Sequence, residues 1–157
     1  MKENTIGIIG GGACGVAAFA ELIVHLKIAG KHTSTTILLI EKSDDIGLGL
    51  AFGTEQPGHL LNTQADLMGI HSFEPEHFAI WLKKNRDEVM HEVKGEDPLT
   101  ESHTTRRLYG KYIQEQFSHY LQKARNIGLN LEIIHDEVID LIPDGDRWKI
   151  ALANSPA

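Results

Sequence analysis

The sequence has a single cysteine, Cys14, so no internal disulfide can form and nothing in it asks for an oxidising compartment. A reducing cytoplasm is the expected location. Basic residues are also scarce. Fifteen Lys and Arg stand against 22 Asp and Glu, and the net charge of −7 has the wrong sign for wrapping nucleic acid or lying on an anionic membrane. The uncharged stretch Thr5 to Ala20 is too short to span a bilayer, and three consecutive glycines within it spoil a secretory leader even though Ala18-Phe19-Ala20 imitates a cleavage site. There is no internal repeat and no low-complexity segment. What is present is 157 residues with 41% hydrophobic and 24% charged side chains, the composition of one globular domain spanning 1–157. Small molecules or other polypeptides are the expected partners.

The chain opens on a short β-branched apolar run, Thr5 to Ile9, that stops at Gly10 as a buried parallel strand would. From Ala13 to Leu26, Val16, Phe19, Ala20, Ile23 and Val24 recur at helical spacing, and Thr36 to Ile40 reads as a second buried strand ending on Glu41. The unit is βαβ with a right-handed crossover. Ile46 to Gly69 reads as an extended glycine-containing loop. A helix is expected after Glu74-Pro75, with the proline in its first turn and Phe78, Trp81 and Leu82 on one face. Arg86 to Thr105, with Gly95 and Pro98, reads as a polar, mobile excursion. A long helix from about Arg106 to Ala124, a strand at Leu129 to Ile134, and a hairpin from Asp136 to Ala153 turning at Pro143-Asp144-Gly145 complete the pattern.

Gly10-Gly11-Gly12-Ala13-Cys14-Gly15 satisfies G-x-G-x-x-G at the place where the mechanism needs it, between a strand and a helix. Gly10 makes the turn, Gly12 lets backbone approach a pyrophosphate, and Gly15 permits close helix-strand packing. The helix N-terminus offers free N–H groups and a positive dipole end to phosphates. Glu41, twenty-six positions after Gly15, stands where a carboxylate can accept hydrogen bonds from an adenosine ribose.

These residues, followed by Gly47-Leu48-Gly49-Leu50-Ala51-Phe52, Pro57-Gly58-His59-Leu60-Leu61-Asn62 and Arg106-Arg107-Leu108-Tyr109-Gly110-Lys111-Tyr112, carry a family resemblance over nearly the whole chain. The chain resembles the N-terminal FAD-binding part of the FAD/NAD(P)-binding oxidoreductases related to flavin-dependent monooxygenases and glutathione-reductase-like flavoproteins. The resemblance implies an α/β, three-layer Rossmann-like domain with a parallel sheet, a helical insertion and a C-terminal β-hairpin. It implies that Gly10, Gly12, Ala13, Cys14 and Gly15 cradle the FAD pyrophosphate, that Glu41 and Lys42 lie at the adenosine ribose, and that Gly47 and Gly49 approach the ribityl-diphosphate arm. His59, Leu61 and Asn62 would run beside the isoalloxazine ring, Leu61 having ordinary core as its alternative, and Val138 would sit near the adenine. NAD(P)H would be the co-substrate that reduces the flavin, and oxygen or a substrate would receive the electrons.

Family members continue past the hairpin into another core strand, a second glycine-containing FAD contact and a nicotinamide-binding domain, so the catalytic half is expected to lie outside this chain. That strand would cover Thr5 to Ile9, whose open apolar edge is expected to pair in a homodimer or with another chain. Arg107 reads as a helix anchor rather than a phosphate ligand. Cys14 reads as a small buried filler, since no second cysteine exists for a redox disulfide. Nine histidines tempt a metal reading, but Glu74 and His77 at i, i+3 lack the second copy a di-iron site needs and read as helix-surface decoration. No general acid or base stands out except His59, which reads as a hydrogen-bonding loop residue. Two other readings remain open: the nucleotide-binding domain of an NAD-dependent dehydrogenase, because the glycine motif and Glu41 suit either dinucleotide, and a non-catalytic remnant or assembly module of the same fold. An S-adenosylmethionine enzyme is remote from this glycine run.

Overall fold

The computed structural model describes residues 4–94 and 102–154. In chain order these form β1 (Asn4–Ile9), α1 (Ala13–Ile28), β2 (Thr35–Ile40), α2 (Gly49–Phe52), α3 (His77–Lys84) and α4 (Arg86–Val89). There follow β3 (Val93–Lys94), β4 (His103–Thr104), α5 (Arg106–Asn126), β5 (Asn130–Ile134), β6 (Val138–Asp144) and β7 (Arg147–Leu152). Single 3-10 turns occupy Ala65–Leu67 and Met90–Glu92.

Strands β1, β2 and β5 make a parallel sheet in the order β1-β2-β5. Its register sets Ile6 and Ile8 beside Ile37 and Leu39, and these beside Leu131 and Ile133. The two-residue period of a strand therefore gathers branched side chains on one face, and helices α1 and α5 cover it. Helix α1 buries Val16, Phe19 and Ile23, α5 buries Leu108, Tyr112 and Phe117, and the rings of Phe19 and Phe117 meet at 5.6 Å. Each such side chain contributes about 1.5–3 kcal/mol of burial. Thr105 sets the start of α5: its Oγ1 accepts from the Leu108 amide at 3.1 Å and donates to Glu92 Oε2 at 2.7 Å.

The opposite face of the sheet looks toward the antiparallel β6–β7 hairpin, giving three layers: helices, sheet, hairpin. Ile9, Leu38 and Ile40 line a cavity of about 700 Å³ there, closed from the hairpin side by Leu141, Trp148 and Ile150. Strand β1, read as buried from its apolar run, is mostly exposed: among the described residues it forms the sheet's outer edge, the open edge also expected of Thr5 to Ile9, and Ile9 is 48% exposed.

Other boundaries moved for local reasons. The loop after β2 contains a short helix, α2, because it docks on α5. Helix α3 starts at His77, two residues after Pro75, so the proline precedes the helix rather than entering its first turn. Arg86–Lys94 is built as α4, a 3-10 turn and β3 rather than as an irregular excursion, and β3 pairs with β4. Gly95 and Pro98 lie outside the described residues. The hairpin pairs Asp144 with Arg147, which puts its two-residue turn at Gly145-Asp146, just after the expected centre.

Helix α5 approaches the 48–52 segment at Gly110. A Cβ placed there would meet Leu48 Cδ2 at 2.7 Å and the Phe52 carbonyl oxygen at 2.8 Å. The leucine can rotate away but the carbonyl cannot. Gly110→Ala should therefore destabilise the fold by about 1–2 kcal/mol, because overpacking of about 1–3 kcal/mol exceeds the gain of about 1 kcal/mol in helix propensity. Urea unfolding checks this; an unchanged or raised midpoint would show that the α2–α5 contact is looser than described.

Candidate functional site

The site is assembled where the turn after β1 meets the loop after β2. Gly10 has a φ of +93°, and its amide donates to the Ile40 carbonyl at 2.8 Å, so the chain swings off β1 across the end of β2. A side chain on Gly15 would run into the Gly10 carbonyl oxygen, so α1 packs on this turn at backbone distance. Gly12 caps α1 with no side-chain hydrogen bond, leaving the amides of Ala13, Cys14 and Gly15 at a bare helix N-terminus. The fold itself does not demand glycine at 12, since a Cβ there would lie 3.7 Å from the Gly49 Cα, an ordinary contact.

The second loop closes on the first. Gly47, at a φ of +105°, donates its amide to the Gly11 carbonyl at 2.7 Å, and the Gly49 backbone lies against Gly12. At the tip of β2, Glu41 Oε2 accepts from the Gly11 amide at 2.6 Å and Oε1 from the Ser43 amide at 3.0 Å. Partial burial pushes the Glu41 carboxyl up, but the hydrogen bonds from Ser43 and Gly11 outweigh it and hold its pKa below the ordinary value. The Ser43 side chain and the Lys42 amide act on the carboxylate in the same direction. Gly11 and Ser43 were not singled out by the sequence pattern, because their contribution is backbone N–H.

The remaining expected residues fall into two groups. Lys42 and Val138 lie on the Glu41 side. Lys42 Nζ reaches Glu137 Oε1 at 3.0 Å in an ion pair that solvent screens, and half-buried Val138 follows it, while the Glu41 amide donates to the Ile134 carbonyl at 3.0 Å. His59, Leu61 and Asn62 lie instead at the start of α5, where the Arg106 amide donates to the His59 carbonyl at 2.7 Å and Arg106 Nε to the Leu60 carbonyl at 3.2 Å. Four residues of helix, or about 6 Å, separate Arg106 from the Gly110 contact with the 48–52 segment. His59 is exposed, with Nδ1 2.8 Å from Thr54 Oγ1, and Asn62 is exposed. Leu61 is buried in the main core, and its amide donates to the Thr104 carbonyl at 2.9 Å.

Two sequence expectations change and a third holds. Cys14 is exposed, because the first turn of α1 directs it away from the core that Val16 and Phe19 enter. His77 is not surface decoration: its Nδ1 lies 2.8 Å from the Tyr112 hydroxyl. Arg107 behaves as the anchor expected of it, paired with Glu92 at 3.1 Å and Glu55 at 3.3 Å. Among the described residues, no group of three or more His, Cys, Asp or Glu is arranged to hold a metal ion, and no helix is long and apolar enough to cross a membrane. The 700 Å³ cavity shares no lining residue with the glycine turn, and its apolar walls belong to the sheet–hairpin interface.

The profile of the family described as FAD-NAD(P)-binding matches residues 7–156, and the chain belongs to that family. Among curated proteins none matches the sequence. Among solved structures, the Diels-Alderase of pyrroindomycin biosynthesis is similar at 15% identity with a TM-score of 0.50, over 98% of this chain and 30% of that one. The p-nitrophenol 4-monooxygenase of Pseudomonas putida DLL-E4 matches at 13% identity with a TM-score of 0.45, over 95% of this chain and 37% of that one. A flavin-dependent halogenase from Xanthomonas campestris matches at 15% identity with a TM-score of 0.45, over 97% of this chain and 39% of its own. The chain thus spans about a third of the length of these structures.

The Glu41 hydrogen bonds make a pH prediction. A carboxyl whose folded pKa is depressed contributes stability that is complete above its ordinary value and is lost as pH falls through the folded value. The urea midpoint should therefore fall as pH drops below about 4.5, and the Glu41→Gln protein should show a shallower fall over the same range. Identical pH profiles for the two proteins would mean that the Gly11 and Ser43 contacts do not favour the ionised form.

Proposed function

We propose that this member of the FAD-NAD(P)-binding family holds FAD, and that residues 1–157 are the N-terminal portion of the cofactor domain of a flavin-dependent oxidoreductase. The observation that carries the reading is the cradle itself: backbone amides of the turn after β1, backbone of the 47–49 loop, and the Glu41 carboxylate converge with no side chain between them. Such a surface fits a diphosphate flanked by a ribose. Its donors are N–H groups at a helix N-terminus, and its acceptor is a carboxylate at the tip of a strand.

In this reading Ala13, Cys14 and Gly15 donate to the pyrophosphate across Gly10 and Gly12. Glu41 accepts from the adenosine ribose, with Lys42 and Val138 beside the adenosine. Gly47 and Gly49 admit the ribityl-diphosphate arm. The exposed His59 and Asn62 lie along the isoalloxazine, on a segment that Leu61 anchors to the core. FAD supplies the hydride and electron chemistry when bound, with NAD(P)H as its reductant. This chain's residues bind and orient. The activity of the whole protein is of the monooxygenase type in this proposal, and a reducing cytoplasm suits the exposed thiol of Cys14.

The outer edge of β1 belongs to the same proposal. Among the described residues no strand pairs with it, and apolar Ile9 lies exposed there, the arrangement that recruits a further strand. That strand comes from a second copy or from the catalytic polypeptide that acts with this domain.

Titration of the colourless protein with FAD should give saturable binding, and Gly12→Leu should abolish it while the far-ultraviolet circular dichroism stays unchanged, since the added side chain fills the cradle rather than the core. Saturable binding of NAD alone would move the chain to the dehydrogenase reading, and binding of neither would leave a non-catalytic module. Light scattering at micromolar concentration should show a species larger than a monomer; a strict monomer would remove the second copy as the occupant of the β1 edge.

A further inference from the structure

Away from the glycine cradle, a histidine pair closes the turn that leads into α3. His71 is only 8% exposed, and its ring stands edge-on to His77 with centroids 4.7 Å apart and tilted against Tyr120 at 5.5 Å. The turn is fastened at both ends. Ser72 donates through its amide and Oγ to Glu21 Oε1 on α1, at 3.2 and 3.3 Å, and the Gly69 amide donates to the Pro75 carbonyl at 2.8 Å. On the α5 side, the Ile70 amide donates to the Tyr112 hydroxyl at 3.3 Å, and that hydroxyl lies 2.8 Å from His77 Nδ1.

We propose that His71, His77 and Tyr112 form an acid-released latch that pins the 70–77 segment to α1 and α5. The logic lies in hydrogen-bond bookkeeping at the Tyr112 hydroxyl. Tyr112 is fully buried, and burial pushes its phenol up, so it keeps its proton. Its oxygen already accepts from Ile70, and its O–H has neutral His77 Nδ1 as acceptor. An imidazolium carries a proton on both nitrogens and cannot accept. Protonation of His77 would turn that bond around, with Nδ1–H donating to the phenol oxygen beside the Ile70 amide, and would leave the O–H of buried Tyr112 without its acceptor.

Charge acts in the same direction. A second imidazolium at His71 would stand 4.7 Å from the first. Glu74 on the turn and Glu21 on α1 oppose that repulsion, while His119 and Lys123 on α5 add to it. Lys123 Nζ sits 5.0 Å above the Tyr120 ring. Burial first, and then His77, lower the pKa of His71 against Glu74 and Glu21; burial likewise lowers His77 despite Glu74. A histidine whose folded pKa is depressed favours the folded state when neutral. The latch is therefore at full strength above the ordinary imidazole value of 6.5 and weakens as pH falls below it.

The segment so held continues the stretch that carries His59 and Asn62 into α3, which makes the latch a point at which acidity can loosen the support of that stretch. The inference stands on the turn and its contacts alone and survives if the chain binds no flavin.

Amide hydrogen exchange tests it. Corrected for intrinsic chemistry, exchange at Ile70 and Ser72 should accelerate about tenfold between about pH 7.5 and 5.5 while the α5 core amides stay protected. In the His71→Phe, His77→Gln double variant, which keeps a ring at 71 and an amide oxygen at 77, that acceleration should vanish. Acceleration that persists in the variant, or that spreads equally to α5, overturns the latch. A histidine nuclear magnetic resonance titration of the unaltered protein decides independently of whether the variant folds. Resonances of His71 and His77 should titrate below 6.5, and titration at or above that value overturns the proposal.

Discussion

The turn after β1 and the loop after β2 can touch only through backbone, and the upper end of the sheet is organised around that contact. Gly47 donates to the Gly11 carbonyl, Gly49 lies against Gly12, and the Glu41 carboxylate accepts from Gly11 and Ser43. Each of these contacts depends on the others. Moving Gly11 would strand a carboxylate that its hydrogen bonds keep ionised, and a side chain at 15 would lift α1 off the turn. The resulting surface exposes N–H groups and a carboxylate without side-chain cover, which is the chemistry a dinucleotide requires of a protein.

The rest of the fold supplies stiffness behind that surface. The packing of α1 on α5 through Phe19 and Phe117, and of α5 on the 48–52 segment at Gly110, ties the second loop to the same core that carries the first. Helix α5 also holds the start of the 59–62 stretch through Arg106 and receives the 70–77 turn through Tyr112. One helix thus connects the nucleotide end, the exposed His59 stretch and the histidine pair. The hairpin covers the other face of the sheet only in part, and among the described residues no strand pairs with the outer edge of β1.

Much of this was legible in the residues. The βαβ unit, α5 and β5 follow from apolar periodicity, and the glycine motif and Glu41 were identified by spacing alone. What stayed hidden depended on contacts between distant segments. Short α2 has no periodicity to read; it forms because Gly110, ninety-eight positions after Gly12, lets α5 come close. A glycine inside a strong helical pattern was the available signal. Cys14 was read as a buried filler because no second cysteine exists to pair with it, yet its azimuth on α1 turns it outward. His77 was read as surface once a di-iron site lacked its second copy, but the hydroxyl it meets arrives from thirty-five residues away. Leu61 sits in the core, the alternative that its apolar side chain always allowed.

The sequence by itself determined the local chemistry: where backbone can be bare, where a carboxylate ends a strand, and which stretches have a face to bury. Periodicity and residue type act over a few positions, so they settle elements and motifs. The tertiary structure alone decided which bare backbones meet, and that His77, edge-on to the His71 ring, reaches the hydroxyl of buried Tyr112. Those outcomes rest on packing between residues tens of positions apart, where the position of one side chain depends on how a whole helix is seated.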